Sequence, residues 1–115
     1  MAIDHVAAET ERPAEAAAFY ERVFGARVVA QEGHPVMAYV GTTGFAFHPP
    51  DGPGPHTAVR VSEDERIAIA QRLDAENVEH WERDHGIGVG LFFRDPDGRL
   101  LEAITYHSGD DPRRR

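Results

Sequence analysis

The side chains that could do chemistry here are few in kind. The chain has no cysteine, which removes disulfide frameworks, thiolate metal sites and thiol nucleophiles together. All 12 basic residues are arginine, so Schiff-base chemistry and a lysine phosphate clamp are absent too. What remains is seven histidines and 20 acidic residues, and any metal must be held by these. His5, His48, His56 and Glu102 stand out. Glu102 lies between Leu101 and Ala103 in an apolar run, where an unpaired carboxylate is costly to bury. A metal would satisfy it; so would an arginine partner or a half-exposed edge strand. A lone histidine near a strand start is equally at home on the surface. Two neutral imidazoles with one carboxylate suit a divalent ion such as Fe, Mn, Ni, Co or Zn. Such a set leaves coordination positions open for substrate oxygens.

The elements that must position these residues read as two rounds of one pattern. Ile3–Glu9 is a strand. Pro13 suits the first turn of a helix over 14–24, capped by Thr10 or Glu11, with Ala17, Tyr20, Val23 and Phe24 as its apolar face and Gly25 as its stop. Strands follow at 27–31, 36–40 and 45–48. Residues 49–55, Pro-Pro-Asp-Gly-Pro-Gly-Pro, can only be a loop. The second round opens with a strand at 56–61. Ser62 and Glu65 have the spacing of a capping box for a helix ending near Asn77, with Ile67, Ala68, Ala70 and Leu73 inward. Strands come next at 78–82, 89–94 and 100–106, the last two joined by the turn Asp95-Pro96-Asp97-Gly98. The fold class expected is α+β: two βαβββ modules, residues 3–50 and 55–107, in one domain over 1–107, then a polar tail over 108–115 expected to fray. His5 and His56 fall in the first strand of each module. Aligning Gly44–His48 with Gly98–Glu102 makes His48 and Glu102 counterparts.

The 115 residues suit one domain with a modest core. A net charge of −8 repels phosphate backbones, so no nucleic-acid partner is expected. No apolar run is long enough to span a bilayer, and no signal peptide is visible; a cytoplasmic location is the expectation.

Four local motifs carry a family resemblance: Ile3-Asp4-His5-Val6, Ala18-Phe19-Tyr20-Glu21-Arg22-Val23-Phe24-Gly25, His56-Thr57-Ala58-Val59, and Phe93-Arg94-Asp95-Pro96-Asp97-Gly98-Arg99-Leu100-Leu101-Glu102. In this order the chain resembles the vicinal oxygen chelate superfamily (glyoxalases, extradiol dioxygenases, bleomycin-resistance proteins) over about residues 3 to 107. The resemblance implies a curled mixed sheet forming a metal cup, with His5, His56 and Glu102 as ligands of one divalent ion. It also implies a homodimer whose cups are shared between chains. His48 would be a fourth ligand, as in glyoxalase I, or a base beside the metal. Strand alternation with His5 inward sends Ile3, Ala7 and Glu9 inward; His56 brings Ala58 and Arg60; Glu102 brings Leu100, Ile104 and Tyr106. Ala7, Glu9, Phe92 and Tyr106 are the substrate-pocket candidates. Met37, Tyr39, Phe45 or Phe47 could add apolar walls. His34 and His85 sit in glycine-containing loops and read as solvated, although the loop 84–88 could cover the site as a lid.

Departures narrow the reaction. Fosfomycin-modifying relatives carry Thr or Cys where Ala7 stands, Lys where Glu82 follows Trp81, and Tyr where Phe92 stands, so that activity is not expected. The lead expectation is a metal-dependent lyase or isomerase acting on a small oxygen-chelating metabolite through an enediolate, with Glu102, Glu9 or His48 moving the proton. The alternatives are an extradiol-type dioxygenase using Fe(II), and a non-catalytic drug-binding protein of the bleomycin-resistance type, which lacks the triad.

Overall fold

The structure is a computed structural model and describes residues 1–114. Chain order is β1 (Ala2–Glu9), α1 (Pro13–Phe24), β2 (Arg27–Val29), β3 (Val36–Val40), β4 (Thr43–His48), β5 (His56–Arg60), α2 (Glu63–Ala75), β6 (His80–Asp84), β7 (Gly88–Arg94) and β8 (Leu100–Tyr106), with a 3₁₀ turn at Pro112–Arg114. The expected βαβββ repeat is present, and its eight strands form one sheet in the order β2-β3-β4-β1-β5-β8-β7-β6. β1 runs parallel to β4, and β5 parallel to β8. The modules meet edge to edge where β1 pairs antiparallel with β5.

Local chemistry sets the boundaries. Ser62 accepts from the Glu65 amide while the Glu65 carboxylate accepts from the Ser62 amide, closing the capping box of α2. α1 starts without a side-chain cap, on Pro13, and ends at left-handed Gly25; neither Thr10 nor Glu11 caps it. Asp95 Oδ1 accepts from the amides of Asp97 and Arg99, which tightens the β7–β8 turn.

One sheet face carries the helices and the other forms the cup. Phe45 and Phe47 pack on Tyr20 of α1, at ring separations of 4.9 and 5.0 Å, so they face the helix and do not wall the cup. Ala17, Ala26, Ala38 and Phe47 form the core beneath α1; Val61, Leu91 and Ala103 form the one beneath α2. Both helix faces are rotated from expectation. Val23, Phe24 and Ile67 are exposed, and Ile69 joins Ala70 and Leu73 against the sheet. A third core cluster, Ala7, Met37, Tyr39 and Ala46, belongs to the cup side.

Over the described residues the polar tail turns back onto the sheet. Pro112 is buried, and Arg113 reaches back to bond the Asp4 and Thr42 carbonyls. Among the described residues no helix is long and apolar enough to cross a membrane.

Candidate metal centre

The pairing of three strands assembles the site. Across the sheet His5 faces Ala58, and Ala58 faces Glu102. Ala58, fully buried, is a methyl-sized floor over which the His5 and Glu102 side chains can meet. His56 lies two residues back along β5, on the same face. Glu102 Oε1 lies 3.2 Å from His56 Nε2 and 3.5 Å from His5 Nε2. One donor atom from each residue falls within 4.8 Å of the others, and all three residues are buried. The set comes together within a single chain, because β1 and β5 are neighbours in one sheet.

The donors fit a cation. His5 Nδ1 donates to Asp4 Oδ2 at 2.7 Å, and His56 Nδ1 to the Gly54 carbonyl at 2.7 Å. Both partners only accept, so each Nδ1 carries a proton, which leaves each Nε2, facing Glu102, as the atom that can take an ion or a second proton. Three converging lone pairs need a positive charge between them. Bonds of about 2.1 Å to one ion place donors roughly 3.0–3.4 Å apart, close to the separations found here. Without an ion a proton serves. Burial alone would lower the His5 pKa, but hydrogen bonds to Asp4 and Glu102 outweigh it and raise it to about 9. Burial works the other way on Glu102, and bonds from His5, His56 and His85 overcome it, holding the carboxyl far below its usual range.

Glu102 is seated by a glycine. A Cβ on Gly90 would collide with the Glu102 carboxylate and the His85 ring. His85 Nε2 donates to Glu102 Oε2 at 2.8 Å, which fixes the second carboxylate oxygen. The loop carrying His85 borders the cavity through His85 and Ile87. It is a three-residue hairpin connection, closed by the His85 amide on Gly88 O and tied to β8 by the His107 amide on Ile87 O.

His48 is not the counterpart of Glu102. Ala7, two residues beyond His5, faces Ala46; Ala58, two residues beyond His56, faces Glu102. Ala46 therefore occupies the place of Glu102, and His48 lies one step further out on the same face. It stays outside the donor cluster but lines the cavity, its ring 5.8 Å from that of His56. Burial, and then the neighbouring His56 and His5, lower its pKa to about 4, so it is a neutral imidazole at neutral pH.

The cavity encloses about 80 Å³ beside these groups. Val29, Met37, Ala46, Ile87, Ile104 and Pro112 make it apolar, and no arginine is among the described residues lining it. Tyr106 lines it as expected. Ala7 and Phe92 sit beneath it instead: Ala7 is packed with Met37 and Ala46, and Phe92 lies against His56, His85 and Trp81. Glu9 is exposed at the end of β1 and outside the lining, so it is not placed to move a substrate proton. Ile3 is 51% exposed because the β1–β5 register shifts between Ile3 and His5, and that shift breaks the alternation. His34 and Gln31 do line the cavity; His34 was hidden by its glycine-containing loop, and Gln31 lies beyond the observed end of β2 at Val29.

The family model for the Glyoxalase/Bleomycin resistance protein/Dioxygenase superfamily matches residues 2–103, and the chain belongs to that superfamily. Solved structures share its fold. Methylmalonyl-CoA epimerase from Mycobacterium tuberculosis superposes with a TM-score of 0.75 at 21% identity, over 92% of this chain and 88% of that one. A 2,2',3-trihydroxybiphenyl 1,2-dioxygenase from Sphingomonas wittichii gives 0.67 at 17% identity, over 93% of this chain and 41% of that one. BphC, a halotolerant catechol dioxygenase, gives 0.70 at 14% identity, over 92% and 39%. This chain thus spans about two fifths of the dioxygenases. No curated protein matches the sequence.

Proposed function

We propose that the chain is a metal-dependent enzyme that binds a small apolar substrate through two adjacent oxygens, with His5, His56 and Glu102 holding the ion and His48 accepting the substrate's proton. A divalent ion held there would supply Lewis-acid chemistry and open positions for substrate oxygens. The carrying observation is the convergence of two Nε2 lone pairs and a carboxylate oxygen, fixed from behind by Asp4, Gly54 and His85. His48, neutral and facing the cavity, has a free nitrogen for a proton. Apolar walls exclude water and favour a compact, uncharged substrate body.

Ala46 in the place of Glu102 bears on the reaction. It removes the fourth protein ligand that a glyoxalase-I-like lyase or isomerase implies. Two histidines and one carboxylate alone leave room for the two substrate oxygens and one further small molecule, the arrangement of non-haem Fe(II) oxygenases. Ring cleavage of a catechol-type diol by dioxygen is therefore the reading the geometry supports best. Enolisation of a chelated carbonyl compound is the second, with His48, unprotonated at neutral pH and facing the cavity, placed to take the proton. The triad itself stands against a purely drug-binding role. A homodimer remains our expectation, but the site does not require one.

The test is a catechol panel with the protein loaded anaerobically with Fe(II), then exposed to oxygen. Oxygen uptake with yellow ring-opened product is expected. No uptake, together with proton exchange of an α-hydroxycarbonyl compound in heavy water, would replace this reading by the second.

A further inference from the structure

His5 and His56 are held from behind in different ways. His56 leans on one backbone carbonyl. His5 leans on Asp4, whose carboxylate is fully buried and ringed by partners. Asp4 Oδ2 accepts from His5 Nδ1 at 2.7 Å and from the Tyr106 hydroxyl at 2.6 Å. Arg113 Nη1 lies 2.7 Å from Asp4 Oδ1, and Arg60 Nη1 lies 4.0 Å from it. Arg113 does more than pair one oxygen. Its Nη2 donates to the Asp4 carbonyl at 2.6 Å and its Nε to the Thr42 carbonyl at 2.9 Å. Asp111 holds its Nη1 at 3.2 Å, and the guanidinium lies over the Tyr39 ring at 5.1 Å. One planar group thus ties the C-terminal turn to β1 at the residue beside a candidate ligand, 109 residues away in sequence.

The register shift explains how Asp4 comes to be there. Strict alternation would send adjacent residues to opposite faces. The irregularity between Ile3 and His5 lets Asp4 and His5 both turn inward. A carboxylate buried by such a distortion needs its charge met, and Arg113 and Tyr106 meet it.

We propose that Arg113 is a positioning residue for the metal centre: by clamping Asp4 it fixes the His5 ring so that Nε2 faces His56 and Glu102. This rests on His5 being a ligand. Partners behind a ligating histidine set its orientation and basicity, and losing one typically weakens metal binding about 10–100-fold. The C-terminal turn would then be part of the site, although Arg113 touches neither ion nor substrate.

The experiment is a cobalt(II) titration of the full chain, read by the visible absorption of the bound ion. Wild type is compared with R113A, R113K and R99A, Arg99 being an exposed arginine paired at the β7–β8 turn. R113A is expected to bind cobalt about 10-fold more weakly, with a displaced visible band and a cooperative melt. R113K is expected to recover part of the loss, since lysine can pair with Asp4 but lacks the fork that reaches two carbonyls. R99A should match wild type. R113A binding within twofold of wild type with the same spectrum would overturn the proposal. So would tighter binding, the result expected if only a nearby positive charge had been lost. Should R113A not fold, R113K alone decides: a several-fold loss supports the clamp and wild-type affinity refutes it. A wild-type protein that takes up no cobalt would remove the metal reading and this inference together, whereas cobalt bound equally by wild type and R113 variants removes only the latter.

Discussion

The two modules share an order of elements and differ in what they carry. Across β3 and β4 of the first, Ala46 faces Met37; at the matching place in the second, Glu102 faces Phe92. The first module lines the cavity with Val29, Met37 and Ala46 and contributes His5 and His48; the second contributes His56, Glu102 and His85. A repeated βαβββ unit therefore builds a symmetric cup, and one exchange, alanine for glutamate, makes it one-sided. The negative charge that would hold an ion is confined to the second half. Both halves supply apolar walls, and the first adds, in His48, a neutral imidazole. Glycine marks the same division: Gly90 makes room for the Glu102 carboxylate and Gly44 for Met37 and Tyr39.

The sharpest way to break this comparison is to remove the charge from one half and leave the other alone. Glu102→Ala should abolish metal uptake, measured by elemental analysis, since two neutral imidazoles remain without a counter-charge. Ala46→Val should leave metal content unchanged. Equal loss in both would mean that the modules are not divided as described. His48→Gln should lower turnover by about 10²–10⁴-fold with metal content intact, which separates a base in the first half from ligands in the second. Gly90→Ala comes next. Its methyl must displace Glu102 or His85, so a destabilisation of about 1–3 kcal/mol is expected, with weakened metal binding, in a chemical-denaturation series run with and without the ion.

The last test is a pH dependence. Without an ion the folded-state pKa of His5 is raised from 6.5 to about 9. Its contribution to stability is thus fully present below about pH 6.5 and is lost as pH rises through about 9. A metal competes for the same nitrogen and must displace that proton. Apparent metal affinity should therefore rise with pH throughout the range below about 9, and level off above. Calorimetric titration in buffers of different ionisation enthalpy should register the proton released. A flat affinity over that window would mean that His5 carries no proton in the apo-protein.

How much of this could be read from residues alone follows from where the determinants lie. The repeat was legible because Ser62, Pro13, Gly25 and the Asp-Pro-Asp-Gly turn act locally, and the three ligand candidates followed from the resemblance. Register was not. Counting from glycines made His48 the mate of Glu102, because Gly44 lies inside β4 whereas Gly98 belongs to the turn before β8. The inward placement of Asp4 depends on an irregularity between β1 and β5, which no period of two can signal; an acidic residue beside a histidine in an otherwise apolar strand was the one available hint. Arg113 read as a solvated tail residue, since its partners lie at the other end of the chain. His85 was hidden in a glycine-rich loop whose closure depends on hydrogen bonds to β8.

The central claim is best tested by anomalous diffraction from crystals grown with iron(II) or cobalt(II). The account requires one strong peak within about 2.1 Å of His5 Nε2, His56 Nε2 and Glu102 Oε1, all from one chain, with His48 outside bonding range. A peak bonded by His48 in place of Glu102, ligands drawn from two chains, or no peak between these atoms at full metal loading would contradict it.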